Sequence, residues 1–272
     1  MRTRHRLRTM RITTKRYGLT FGVLIAFSVL SASCPAREIQ LNQITVFEAP
    51  EWLKTSAVQA VVDRVQNYLE WDFRKLSVFY YKDLTEFNRQ HTFKFAVDAF
   101  FRKSDSSIHL SPKVIATNFS QIMSHELVHA LFYQKYQKAI PVWLEEGLAN
   151  TIAQLPSPNY QWLKTQSWPS VATLGHSSHQ VVDSKVYYSV STGVIEMIRE
   201  KCNLHELLKL AVGSQLTSYL KTFCGIEDLD LDFKSWVAKK ADSQWGDTRS
   251  DLPWWKKKQL KKSLKPNSPV NE

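Results

Sequence analysis

The stretch SHELVHALFY, residues 124–133, constrains this chain more than any other. His125 and His129 are four positions apart. On a helix that spacing stacks them one turn apart on one face, where both imidazoles can converge on a single ion. Glu126 then lies about 100° round the helix from His125, beside such an ion but not bound to it. This is the layout of metal-assisted hydrolysis. A zinc ion acidifies a water molecule and polarises a carbonyl, while the glutamate takes the proton and later delivers it to the leaving amine.

A catalytic zinc takes three protein ligands and keeps one position open. The segment PVWLEEGLAN, residues 141–150, offers the third. Pro141 suits the start of a helix, and the short connection lets that helix pack antiparallel to the first. Glu146 precedes Gly147, which has no side chain and permits close helix approach. Glu145 points about 100° elsewhere and is the rival ligand.

The remaining pattern predicts strands first and helices after. Ile39 to Phe47 reads as a first strand. Leu76 to Tyr81 and Phe93 to Phe101 read as two more, and Ser107 to Leu110 (SIHL) as a hairpin partner across a polar turn. Thr55 to Phe73 has a helical apolar face made by Val58, Val61, Val62, Val65, Tyr68 and Leu69. A short helix follows Asp83. Helices are expected from Asn118 or Ser120 to Tyr136, Val142 to Gln154, Tyr187 to Lys201, Leu204 to Val212 and Phe233 to Lys239. Residues 156–186 read as a long loop. This order predicts an α+β fold rather than alternating βαβ. A small, mostly antiparallel N-terminal sheet would be followed by a helical subdomain, with the histidine helix between them.

The net charge of +11 suggests a nucleic-acid partner at first sight, but its placement excludes that reading. Seven basic groups lie in residues 1–36, and six lysines with one glutamate lie beyond Pro253. Residues 37–252 are left with a charge of about −1. The basic start leads into LTFGVLIAFSVL and then the small residues SASCPA, the order of a secretory signal. Residues 1–36 are therefore expected to direct export to the periplasm or cell envelope. Residues 37–245 would form the folded domain, and 246–272 a basic, disordered tail. Cys34 lies where a lipoprotein signal places its lipidated cysteine. Any membrane-surface association is expected through that lipid or through PWWKKKQLKKSLK in the tail. Cys202 and Cys224 can form a disulfide in an oxidising compartment.

HELVH followed by PVWLEEGLAN resembles the gluzincin metallopeptidases, and within them the peptidase-MA-like domains. Trp143, Leu144, Glu146, Gly147 and Ala149 match the second-helix signature W-L-x-E-G-x-A. The resemblance implies zinc as cofactor, His125, His129 and Glu146 as its ligands, Glu126 as the base, and a peptide or protein as substrate. It also implies a zincin-like fold in which SIHL is the edge strand that aligns the substrate. YYSVSTGVIEMIREK resembles a later helix of the family. There Tyr188, or alternatively Tyr187, would donate a hydrogen bond to the tetrahedral oxyanion. Asn150, one turn after Glu146, would hold His125 from behind. The glycine-methionine-glutamate-asparagine motif of related aminopeptidases is absent, and so are the further glycine and histidine of metzincins. His176 and His179, in the loop, are read as solvated.

Overall fold

The computed structural model describes residues 37–93, 95–136, 140–174, 183–211 and 216–250. The proposed signal with Cys34, the loop histidines His176 and His179, and the tail from 251 onward lie outside them.

Five strands form one open sheet in the order β1-β2-β3-β5-β4. They are β1 (Ile39–Gln40), β2 (Ile44–Phe47), β3 (Leu76–Tyr80), β4 (Ala99–Arg102) and β5 (Ser107–Leu110). The expected first strand is thus two short strands folded back on each other. The expected strand at Phe93 begins only at Ala99. Helix α1 (Thr55–Leu69) connects β2 to β3, which run parallel, with Ile44 opposite Leu76. Strands β3 and β5 are also parallel, while β4 and β5 form the expected antiparallel hairpin. The sheet is therefore mixed, not mostly antiparallel, and it contains one βαβ crossover. The order of elements along the chain does not reveal this. Parallel pairing is set by which edges a crossover helix brings together, and alternation within each strand does not encode that.

The helical side of the sheet is a continuous aliphatic core. Val58, Val61, Val62 and Val65 of α1 lie fully buried with Val46, Val78, Ile108 and Leu110 from the strands. Glu70 ends α1 in a left-handed conformation (φ 55°), its N–H bonded to the Gln66 carbonyl. The other side carries a row of rings. Phe47 stacks on Phe79 at 5.1 Å, Phe79 on His109 at 5.4 Å and His109 on Phe100 at 4.7 Å. Each step joins residues paired in register across neighbouring strands. Helix α2 (Leu84–Asn88), capped by Asp83 at the Glu86 N–H, sets the buried Phe87 against the end of this row.

His109 is buried within the row, and both of its ring nitrogens are engaged. Nδ1 lies 2.8 Å from the Tyr81 hydroxyl and Nε2 lies 2.8 Å from Ser107 Oγ. Burial, with Arg102 nearby, pushes its pKa down to about 4.

Helices make up the rest: α3 (Phe119–Lys135), α4 (Val142–Ile152), α5 (Tyr160–Leu163), α6 (Ser184–Lys201), α7 (Leu204–Ala211), α8 (Leu216–Cys224) and α9 (Leu229–Ser250). The region expected to be loop holds α5 and a 3-10 turn at Val171–Thr173. Helix α8 has no counterpart among the expected helices. Helix α9 is longer than the Phe233–Lys239 pattern suggests and crosses the boundary expected after residue 245.

Helix α3 lies between the sheet and α4, and α6 covers α4 from the other side. Gly147 is the contact point with α6. A Cβ there would sit 2.2 Å from the Ser191 carbonyl oxygen and 2.5 Å from Ile195 Cγ1. The close approach expected at this glycine therefore serves α6 rather than α3. Cys202, at the end of α6, is disulfide-bonded to Cys224, at the end of α8, with Cα atoms 4.9 Å apart. Among the described residues no helix is long and apolar enough to cross a membrane.

Candidate metal centre

Helix α3 is apolar on most of its circumference. Met123, Leu127, Val128, Ala130 and Leu131 are buried against α1, the sheet and α4. Arg64 of α1 donates to Ser120 Oγ at 3.0 Å and fixes the start of the helix. His125 and His129 occupy the stripe turned toward α4, with side chains 18% and 15% exposed. Glu146 comes from α4 and is 5% exposed.

These three side chains meet. His125 Nε2 and His129 Nε2 are 3.0 Å apart. Glu146 Oε2 lies 3.5 Å from the first and 3.7 Å from the second. A triangle of those edges has its corners about 2.0 Å from a common centre, the length of metal bonds to imidazole and carboxylate. Glu146 Oε2 is also buried with no hydrogen-bond partner among the described residues. An orphaned buried carboxylate oxygen carries a substantial desolvation cost unless a cation or donor meets it. The group can hold a metal ion.

The supporting contacts separate Glu145 from Glu146, a choice that helix spacing alone leaves open. Glu145 Oε1 lies 2.7 Å from His129 Nδ1, so Glu145 backs the histidine and is not part of the cluster. A carboxylate on the far nitrogen fixes the tautomer that presents Nε2. Asn150 hydrogen-bonds His125 and donates through Nδ2 to Thr192 Oγ1 at 2.8 Å. Thr192 in turn donates to the Tyr188 carbonyl at 2.8 Å. One polar chain thus links His125 to the backbone of α6. Thr192 carries no signal in the sequence, because a buried threonine on an apolar helix face reads as packing.

Glu126 is 8% exposed and lies beside the cluster. Burial pushes its carboxyl up to about 7, with Glu146 and Glu145 adding to the effect and His129 and the Phe101 N–H opposing it. Burial pushes His125 down to about 3, and His129 lowers it further. For His129 burial is overcome by Glu146 and Glu145, which hold it up at about 10.

Tyr187 is fully buried, whereas Tyr188 is half-buried. Burial raises both phenols, and Glu146 adds to the effect at each, together with Glu145 at Tyr187 and Glu126 at Tyr188, so both tyrosines lie near the cluster.

The strand next to the site is β4, because β5 lies inside the sheet. The expectation that SIHL is the edge is corrected accordingly. Ser111 donates to the Asp98 carbonyl at 2.9 Å. Antiparallel alternation then turns the peptide groups of Ala99 and Phe101 to the open edge. The Phe101 N–H bonds Glu126, and its ring lies 5.6 Å from Tyr133 of α3.

Fold and site together define a mixed α/β chain with a buried cluster of two histidines and a glutamate able to hold a metal ion. No family model matches this chain, and no curated protein matches it either.

Proposed function

We propose that this chain is an exported, zinc-dependent peptidase of gluzincin-like architecture. The observation that carries the reading is the convergence of His125, His129 and Glu146 from two helices, with Glu126 beside them. A zinc ion held there would supply polarisation of the scissile carbonyl and a more acidic water. Glu126, oriented by the Phe101 N–H, accepts the proton and returns it to the departing amine. Tyr188 donates to the oxyanion. Its partial exposure supports it over the enclosed Tyr187. The free peptide group of Ala99 on β4 pairs with an extended substrate.

Two measurements on purified protein test this. Elemental analysis after chelator-free purification is expected to give about one zinc per chain. Glu126→Gln is expected to keep that metal and lose roughly 100- to 10,000-fold in peptide cleavage. Full zinc with no cleavage by the parent protein would instead identify a binding or assembly module of the cell envelope that retains the fold. Absence of zinc would remove the peptidase reading and favour a metal-free structural protein of the cell envelope.

A further inference from the structure

We propose that Lys103 is a specificity residue of the site, recognising a carboxylate on the peptide bound along β4; this rests on the peptidase reading. Lys103 follows directly on the last residue of the edge strand, in the turn to β5. Side chains alternate along a strand. Phe100 points to the ring-bearing side of the sheet, where it stacks on His109. Phe101 points to α3, where it meets Tyr133. Two residues further on, Lys103 opens the turn just past the Phe101 N–H that bonds Glu126, and its charge acts on Glu146.

Its neighbour behaves differently. Arg102 is clamped by Asp105, with Nη2 and Oδ2 2.6 Å apart, and is spent within its own turn. Lys103 is exposed and, among the described residues, makes no ion pair or hydrogen bond. Asp105, the acid of its own turn, is bound to Arg102 and leaves Lys103 to what lies along the strand edge. Glu126, Glu145 and Glu146 gather at the site, and this unpaired ammonium is poised at its rim. A substrate laid against β4 would pass it within a residue or two of the Ala99 and Phe101 peptide groups. The complementary chemistry is a carboxylate, supplied either by the end of the peptide or by an acidic side chain.

The test uses three dye-labelled decapeptides. One is neutral with a free C-terminal carboxylate, one is amidated with a single glutamate, and one is amidated and neutral. Their affinities are measured by fluorescence anisotropy on zinc-loaded Glu126→Gln protein, with and without Lys103→Gln. One carboxylate peptide is expected to bind about three- to tenfold more tightly than the neutral amide, a preference that Lys103→Gln abolishes and Lys103→Glu inverts. Preference for the free end assigns the carboxylate to the chain terminus, and preference for the glutamate peptide assigns it to a side chain. Equal affinity for all three, no binding, or a preference that survives Lys103→Gln overturns the proposal. Cleavage by the parent protein is scored separately. A Lys103-dependent preference without any cleavage would sink the peptidase reading and leave Lys103 as the carboxylate contact of a binding site.

Discussion

At the scale of single residues, the site is defined as much by what stands behind the ligands as by the ligands. Glu145 and Asn150 are not at the corners of the triangle, yet each holds one of the histidines. Losing such a partner typically lowers metal affinity by roughly 10- to 100-fold. Glu145→Gln is therefore expected to weaken zinc binding within that range, measured by competition with a chromogenic chelator. Glu146→Ala is expected to abolish stoichiometric binding altogether. If Glu145→Gln bound zinc as tightly as the parent, the contact with His129 Nδ1 would have no role in the metal centre. The motif tells which residues converge. Spacing alone does not tell Glu145 from Glu146, because adjacent glutamates on a helix differ only in direction; the W-L-x-E-G-x-A resemblance points to Glu146, and the packing of α4 on α3 brings that residue to the histidines.

Two elements depend on contacts that admit little change. Helix α4 packs against α6 so closely that a methyl at position 147 would press on a backbone carbonyl. Backbone cannot rotate away as a side chain can. Gly147→Ala is expected to destabilise the fold by about 1–3 kcal/mol in a denaturant titration, and to disturb Glu146 on the preceding position. The sheet offers a pH test. His109 is held neutral in the ring row, with a folded pKa near 4 against 6.5 for a free histidine. Between those values the unfolded chain binds the proton and the folded chain does not. Stability from this group is complete above about pH 6.5 and falls as pH drops toward 4, by about 3 kcal/mol in all. His109→Phe keeps a ring in the row and removes the titrating group. The stability of the parent relative to the variant should therefore fall by about 3 kcal/mol from pH 7 to 4. A constant gap would refute the buried neutral histidine.

Across the whole molecule, the Cys202–Cys224 bond joins the helix that carries Tyr188 to α8, across 22 residues of sequence. Closing a loop of that size stabilises by about 3 kcal/mol in the chain-entropy description. The double variant Cys202→Ser, Cys224→Ser is expected to melt several degrees lower, and a reductant should lower the melting temperature of the parent but not of the variant. Much of the architecture is legible in the residues alone. The α3 and α4 boundaries agree with the sequence reading to within two residues, although neither helix start carries a side-chain cap: Asn118 Oδ1 accepts from the Ile115 N–H instead of capping α3, and Pro141 sits just before α4. The β4–β5 hairpin is legible too: its turn is short and polar. The parallel pairs β2–β3 and β3–β5 are not, nor is the position of β5 inside the sheet.

Residue types and their spacing are legible locally along the chain: two histidines one helical turn apart, a glutamate between them, and a second helix bearing a carboxylate beside a glycine. These follow from backbone geometry within a few residues, which any helix enforces. Three-dimensional packing alone showed that Glu145 backs His129 while Glu146 joins the group, that Gly147 receives α6, and that β4 rather than β5 borders the site. Those outcomes depend on how separate elements pack, and packing is settled by the shape and burial of surfaces far apart in the chain.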